Sequence, residues 1–182
     1  EERMTHCYLT IDDSPSPHTI EMIDFLVDRD VPALLFVRGD MIESHGSDSL
    51  IYAVQKGYVL GNHAYSHQRF STLAYDEAVE EIAKTESLID KIYSEAGVKR
   101  LGKYFRFPHI DRGAGGHIID YNQCDPRYRD FVMKMFSDGL NIDLTPPSQE
   151  MLANKQKIQS YLEQEGFCQP FENVSYPWFK GT

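Results

Sequence analysis

Three short stretches of this chain hold residues whose types and spacing could do chemistry. Asp12 and Asp13 are adjacent and lead into Ser14-Pro15; His63 and His67 form an H-x3-H pair; Arg106 stands two residues before Pro108. At helical spacing, residues i and i+4 project from one face, so both imidazoles would reach a single ion. In an extended segment neighbouring side chains point to opposite faces. A turn at Ser14-Pro15 would bring both carboxylates to the same place, one free to ligate an ion and the other to act as a base. One carboxylate plus two imidazoles suits zinc with an open coordination position. Such an ion lowers the pKa of bound water toward ~7 and polarises a substrate oxygen. A second carboxylate would take the water's proton. The chemistry is hydrolysis of an amide or an ester. Alone, an H-x3-H pair is an ordinary surface feature and Asp-Asp an ordinary solvated turn; their joint placement carries the argument.

That placement depends on the elements around them. Residues 5–11 read as a strand, aromatic and β-branched, stopped by Asp-Asp-Ser-Pro. Residues 19–29 read as a helix with Ile20, Ile23, Leu26 and Val27 on one apolar face. Residues 32–37 are a buried strand ended by Arg38-Gly39-Asp40, and 50–56 a helix closed by Gly57. A third strand spans 58–61, a long amphipathic helix 76–96, and a fourth strand 103–107, ended by Pro108. This alternation predicts an α/β fold with a parallel sheet or barrel. Sites in such folds lie at the C-terminal ends of the strands, where Asp12, Asp13, Asp40, His63, His67, Arg106 and His109 all fall. In the long helix Ile82, Leu88, Ile89 and Ile92 read as core, and Glu77, Glu80, Glu81 and Lys84 as a solvated face. Further helices are expected over 128–136 and 149–165, and a weaker strand over 167–174.

The chain has 182 residues, 41% hydrophobic and 25% charged, as in a globular protein of one domain. No apolar run approaches the ~20 residues of a membrane-spanning helix. With 28 acidic against 18 basic residues the net charge is -10, which argues against a nucleic-acid binder. Cys7, Cys124 and Cys168 are too few for a disulfide framework, though one pair stays open, and too far apart for a zinc-thiolate site. There is no initiator Met and no signal-like segment, so a processed or trimmed chain is expected.

Three motifs, in order, resemble those of the polysaccharide deacetylases, the NodB-homology domain. Thr10-Ile-Asp-Asp-Ser-Pro15 resembles T-F-D-D-G-P, Gly61-Asn-His-Ala-Tyr-Ser-His67 resembles G-N-H-S/T-x-x-H, and Phe105-Arg-Phe-Pro108 resembles F-R-x-P. Val31 to Gly39 is similar to the family's second strand, and the likeness covers residues 6–113. The resemblance implies a distorted (β/α) barrel of the NodB-homology type, forming one domain over 1–182 with an insertion at about 117–150. It implies one divalent metal, zinc, held by Asp13, His63 and His67, with zinc-bound water as nucleophile. Asp12 would be the general base, and Arg106 would orient it and tune its pKa through charge. The implied reaction removes N- or O-acetyl groups from an acetylated polysaccharide or oligosaccharide. An oxyanion donor is expected near Pro108 and His109, which with Trp178 make the expected substrate contacts. Trp178, Tyr176 and Phe179 would form a sugar platform, or simply pack. A periplasmic, cell-envelope or secreted location is implied by the family alone.

Several positions depart from the pattern. Ser14 stands for Gly, and Ala64 for a Ser or Thr whose hydroxyl could support the loop; His109-Ile110 stands where Tyr-Gly is common. Ser175-Tyr-Pro177-Trp178 lacks the carboxylate that would pair with Arg106, and no late Leu-x-His segment supplies a general acid. For the missing acid a trimmed C-terminus is the expected reason, over another acid or an inactive chain; His109 and His117 are candidate substitutes, or simply exposed loop histidines. Two other readings stay open. One is a degenerate homologue that binds carbohydrate without activity. The other is a calcineurin-like metallophosphoesterase, suggested by Gly61-Asn62-His63 and Gly39-Asp40 but lacking D-x-H and G-H-x-H.

Overall fold

The computed structural model describes residues 7–115, 125–134 and 147–168. Three parallel strands, β1 (Leu9–Ser14), β2 (Ala33–Val37) and β3 (Val59–Asn62), form a sheet in the order β1-β2-β3. Parallel neighbours require crossovers. The first is α1 (Thr19–Val27); the second is α2 (Gly39–His45) followed by α3 (Asp48–Gln55). The long helix α4 (Tyr75–Ala96) follows β3, and α5 (Pro126–Lys134) and α6 (Gln149–Gln164) complete the described α-helices. The α/β alternation expected from the sequence is therefore present.

The chain divides into two compact units, 1–66 with 81–106, and 67–80 with 107–182. In the first, Leu35, Val37 and Leu60 of the sheet are sealed by Ile23 of α1, Leu50 of α3 and Ile89 of α4, all fully buried. Ile82 and Ile92 are buried as expected, and Leu88 packs on the same core. The apolar face expected for α1 is narrower: Ile23 and Leu26 are buried, whereas Ile20 and Val27 are largely exposed and Met22 packs inward instead. In the second unit, Asp111 is buried and accepts from Ser71 Oγ and from the N–H groups of Gly113 and Gly115. Ser148 caps α6 by accepting the Met151 N–H at 3.1 Å.

Three expectations are corrected. β1 does not stop before the Asp pair but runs through it to Ser14. Arg38-Gly39-Asp40 does not merely end β2; Gly39 opens α2. Its glycine is required by close approach, because a Cβ there would collide with the Tyr65 ring and the Thr85 hydroxyl. The fourth strand is reduced to isolated bridge positions at Lys103 and Phe105, the latter parallel to Asn62. Asn62 N–H donates to Tyr104 O at 2.7 Å and Arg106 N–H to Asn62 O at 2.9 Å. The ladder does not extend past Phe105, because β3 ends at Asn62 and the chain turns at Ala64, φ 63°. Of the expected insertion at 117–150, residues 125–134 and 147–150 are described. Residues 169–174 of the expected last strand, and 135–136 of the helix expected over 128–136, lie outside the described residues.

Candidate metal centre

The two carboxylates meet through a bulge rather than a turn. Asp12 pairs with Phe36 and Ser14 with Val37, leaving Asp13 as an extra residue at φ 66°. A residue inserted this way interrupts the alternation that would otherwise send neighbouring side chains to opposite faces. Asp tolerates the left-handed region better than most residues. As a result Asp12 Oδ2 stands 3.8 Å, and Asp13 Oδ1 3.9 Å, from the same atom, His63 Nε2.

His63 is 3% exposed, and its Nδ1 lies 2.7 Å from the Arg106 carbonyl. A carbonyl can only accept, so Nδ1 carries the proton and Nε2 presents a lone pair. Burial pushes the imidazole below its ordinary pKa and favours this neutral form, against the raising effects of the Arg106 carbonyl and the two aspartates. Ligating histidines are commonly fixed in this way, by a hydrogen bond from the nitrogen turned away from the ion.

Residues 63–67 are not helical, contrary to the reading of H-x3-H as a helix face. Ala64 and His67 both adopt left-handed backbone, φ 63° and 60°. Even so, ligand atoms of Asp13, His63 and His67 all lie within 4.8 Å of one another. Around a tetrahedral zinc such atoms stand about 3.3 Å apart. A buried neutral imidazole, a second imidazole and a carboxylate that is half exposed fit a divalent cation with one open side.

Arg106 organises the other side of Asp12. Its Nη1 donates to Asp12 Oδ1 at 2.8 Å and to Thr10 Oγ1 at 2.9 Å, and its guanidinium lies 4.2 Å from the centre of the Phe36 ring. Both charged groups are about a third exposed, so the pair contributes only about 0–1 kcal/mol to stability. Its effect is on direction. Arg38, which sequence reasoning passed over, holds Asp40 with two hydrogen bonds of 3.0 and 2.6 Å and places Nη1 3.6 Å from Asp13 Oδ1. The Asp40 hydrogen bonds push its pKa above the ordinary value.

A further group of residues supports the histidine loop. Asn62 Oδ1 accepts the Ala64 N–H, and its Nδ2 donates to Ile82 O and Glu86 Oε2. Glu81, expected on a solvated face, instead accepts three hydrogen bonds from Tyr65 and Ser66. Helical spacing does separate it from its exposed neighbour Glu80: Glu81 is three residues after the buried Ala78 and four before the buried Thr85, a signal of partial burial that the sequence reading passed over.

The remaining expected site residues separate. Pro108 is buried and opens a 3-10 turn, Pro108–Ile110. His109 Nε2 lies 3.1 Å from the His67 carbonyl, with the two rings 4.5 Å apart. His109 and Ile110 both have positive φ, 56° and 58°. For a β-branched residue this costs about 1–2 kcal/mol, at the position where the resemblance expects Gly. Trp178, Tyr176, Phe179 and His117 lie outside the described residues.

A parallel α/β sheet with carboxylates and imidazoles gathered at its C-terminal end defines a candidate metallohydrolase. The polysaccharide deacetylase family matches residues 2–114, and the chain belongs to that family. Among curated relatives, it is 33% identical over 99 residues to a chitooligosaccharide deacetylase of Rhizobium leguminosarum bv. trifolii, covering 53% of this chain and 45% of that one. It is 26% identical over 166 residues to a chitin deacetylase of Colletotrichum lindemuthianum, covering 80% and 65%. The chain thus spans about half to two thirds of the length of these two relatives. Among solved structures, it resembles the Xyl-CE4 domain of a multidomain xylanase from the hindgut metagenome of Trinervitermes trinervoides. The TM-score is 0.51 at 23% identity, covering 96% of this chain and 98% of that one. At that identity the likeness establishes the fold alone, and the fold is the expected NodB-homology type. The phosphoesterase reading of Gly61-Asn62-His63 is set aside by the family match.

Proposed function

We propose that this chain is a metal-dependent hydrolase that removes N- or O-linked acetyl groups from an acetylated polysaccharide or oligosaccharide. Asp13, His63 and His67 would hold one divalent ion, zinc by the chemistry of the donors. Bound there, zinc would supply a Lewis acid that polarises the acetyl carbonyl and makes water a nucleophile near neutral pH. Asp12 is the base. Its Oδ1 is engaged by Arg106, so Oδ2, on the side of His63, receives the proton. Water oxygen bonds to the acetyl carbon, the C–N or C–O bond breaks, and acetate is released. The proton gained by Asp12 is the one the departing amine or alcohol requires.

One observation carries this reading: two carboxylates from a single bulge face one lone-pair nitrogen, and Arg106 restrains only one of them. That asymmetry divides a ligand from a base. The relatives named for chitin and chitooligosaccharides support an acetylated amino sugar as substrate. The test is acetate release by the zinc-reconstituted chain from N-acetylated chito-oligosaccharides and from acetylated xylan. The expected result is turnover of one class, with a loss of about 10²–10⁴-fold in Asp12→Asn. No release from either class by folded, zinc-loaded protein would favour the carbohydrate-binding homologue instead.

A further inference from the structure

The loop between His63 and His67 is held from two sides. On its carbonyl side, Ala64 O and Tyr65 O accept the N–H groups of Gly39 and Asp40, at 3.1 and 3.0 Å. These bonds are backbone to backbone and belong to the fold. On its amide side, Asn62 Oδ1 accepts the Ala64 N–H at 2.9 Å, and one side chain of α4 holds the next two residues. Glu81 Oε2 accepts the Tyr65 N–H at 3.0 Å and the Ser66 N–H at 2.8 Å, and Glu81 Oε1 accepts the Ser66 hydroxyl at 2.6 Å. Loop residues with left-handed backbone at Ala64 and His67 lack the i→i−4 bonds by which a helix would fix H-x3-H. Ala64 also brings no hydroxyl of its own.

We infer that Glu81 is a positioning residue for the metal centre, clamping the 64–66 backbone so that the flanking imidazoles stay aimed at one ion. This rests on the metal reading above. A carboxylate suits the task because hydrogen bonds to a charged acceptor are roughly twice as strong as neutral ones. α4 suits it because its core-facing residues Ile82 and Ile89 are fully buried, so the clamp stands on a fixed element. Outer contacts of this kind are worth about 10–100-fold in metal affinity.

The test is equilibrium titration of the full chain with cobalt(II), read by dialysis and by the visible ligand-field bands. Glu81→Ala should bind cobalt about 10–100-fold more weakly, with shifted bands. Glu81→Gln should fall between wild type and Glu81→Ala, keeping the bonds but not the charge. Its amide oxygen can accept both N–H groups while its NH2 donates to a rotated Ser66 hydroxyl. Ser66→Ala, which removes one of the three bonds, should lose less than Glu81→Ala. A merely structural role would lower the melting temperature by circular dichroism yet leave affinity and bands unchanged, and that result overturns the inference. If Glu81→Ala does not fold, unchanged affinity and bands in Ser66→Ala overturn it equally. Failure of the wild-type chain to take up cobalt would refute the underlying metal reading, an outcome visible before any variant is compared.

Discussion

Arg106 shows how one residue can serve a site through both its backbone and its side chain. Its carbonyl fixes the tautomer of His63, its guanidinium fixes Asp12, and the same guanidinium lies over Phe36. Only the second and third depend on the side chain. Lysine keeps the charge but lacks the planar group that can cover a ring and still donate sideways. Arg106→Lys should therefore retain stoichiometric zinc, since the carbonyl that orients His63 remains. It should lower kcat by about 10²-fold, the scale of a misplaced catalytic group, with a smaller change in KM. Elemental analysis beside acetate-release kinetics separates the two effects. Loss of zinc in this variant would mean that the side chain, not the carbonyl, governs His63.

At the scale of elements, close packing beneath the site leaves little tolerance. Gly61 on β3 lies against the Phe36 ring on β2; a Cβ at Gly61 would approach two of its ring carbons to 2.6 Å. Phe36 is buried, so the ring has nowhere to retreat except toward Arg106. Gly61→Ala should cost about 1–3 kcal/mol, the usual penalty for overpacking. Urea denaturation measures it, and a change within ~0.5 kcal/mol would show that Phe36 yields freely. The same elements show what the sequence could and could not reveal. The strand–helix alternation and the buried Ile82, Ile89 and Ile92 were legible because hydrophobic periodicity reports burial directly. Asp12, Asp13, His63, His67 and Arg106 were legible as types and as motifs. How they converge was not. The Asp13 bulge and the left-handed Ala64 and His67 are backbone conformations open to many sequences, decided by tertiary contacts such as Glu81. The fourth strand was overread at its C-terminal end because a β-prone stretch forms a strand only as far as its neighbour extends, and β3 stops at Asn62, opposite Phe105.

At the scale of the whole molecule, the net charge of -10 and the carboxylate–imidazole cluster together predict that stability is linked to a cation. An ion that binds the folded chain and not the unfolded one stabilises it by RT ln(1 + [L]/Kd), about 2.7 kcal/mol at a hundredfold excess over Kd. For a chain of this size each kcal/mol moves the melting temperature by about 2–4 °C, so saturating zinc should raise it by about 5–10 °C. Nonspecific neutralisation of acidic surface would also raise it, but differently. It would be matched by magnesium, would fade with added salt as screening shortens the range of exposed charges, and would survive loss of one ligand. Binding at the cluster predicts the opposite on each count. Zinc should exceed magnesium, because imidazole nitrogen favours the softer ion. The shift should persist in salt, vanish with a chelator, and be absent in Asp13→Ala. That variant places Ala at φ 66°, where Asp is better tolerated, so its own melting temperature without metal should fall somewhat, and each zinc shift is read against the same variant without metal. An equal zinc shift in Asp13→Ala and wild type would remove Asp13 from the ligand set and return it to the acidic surface.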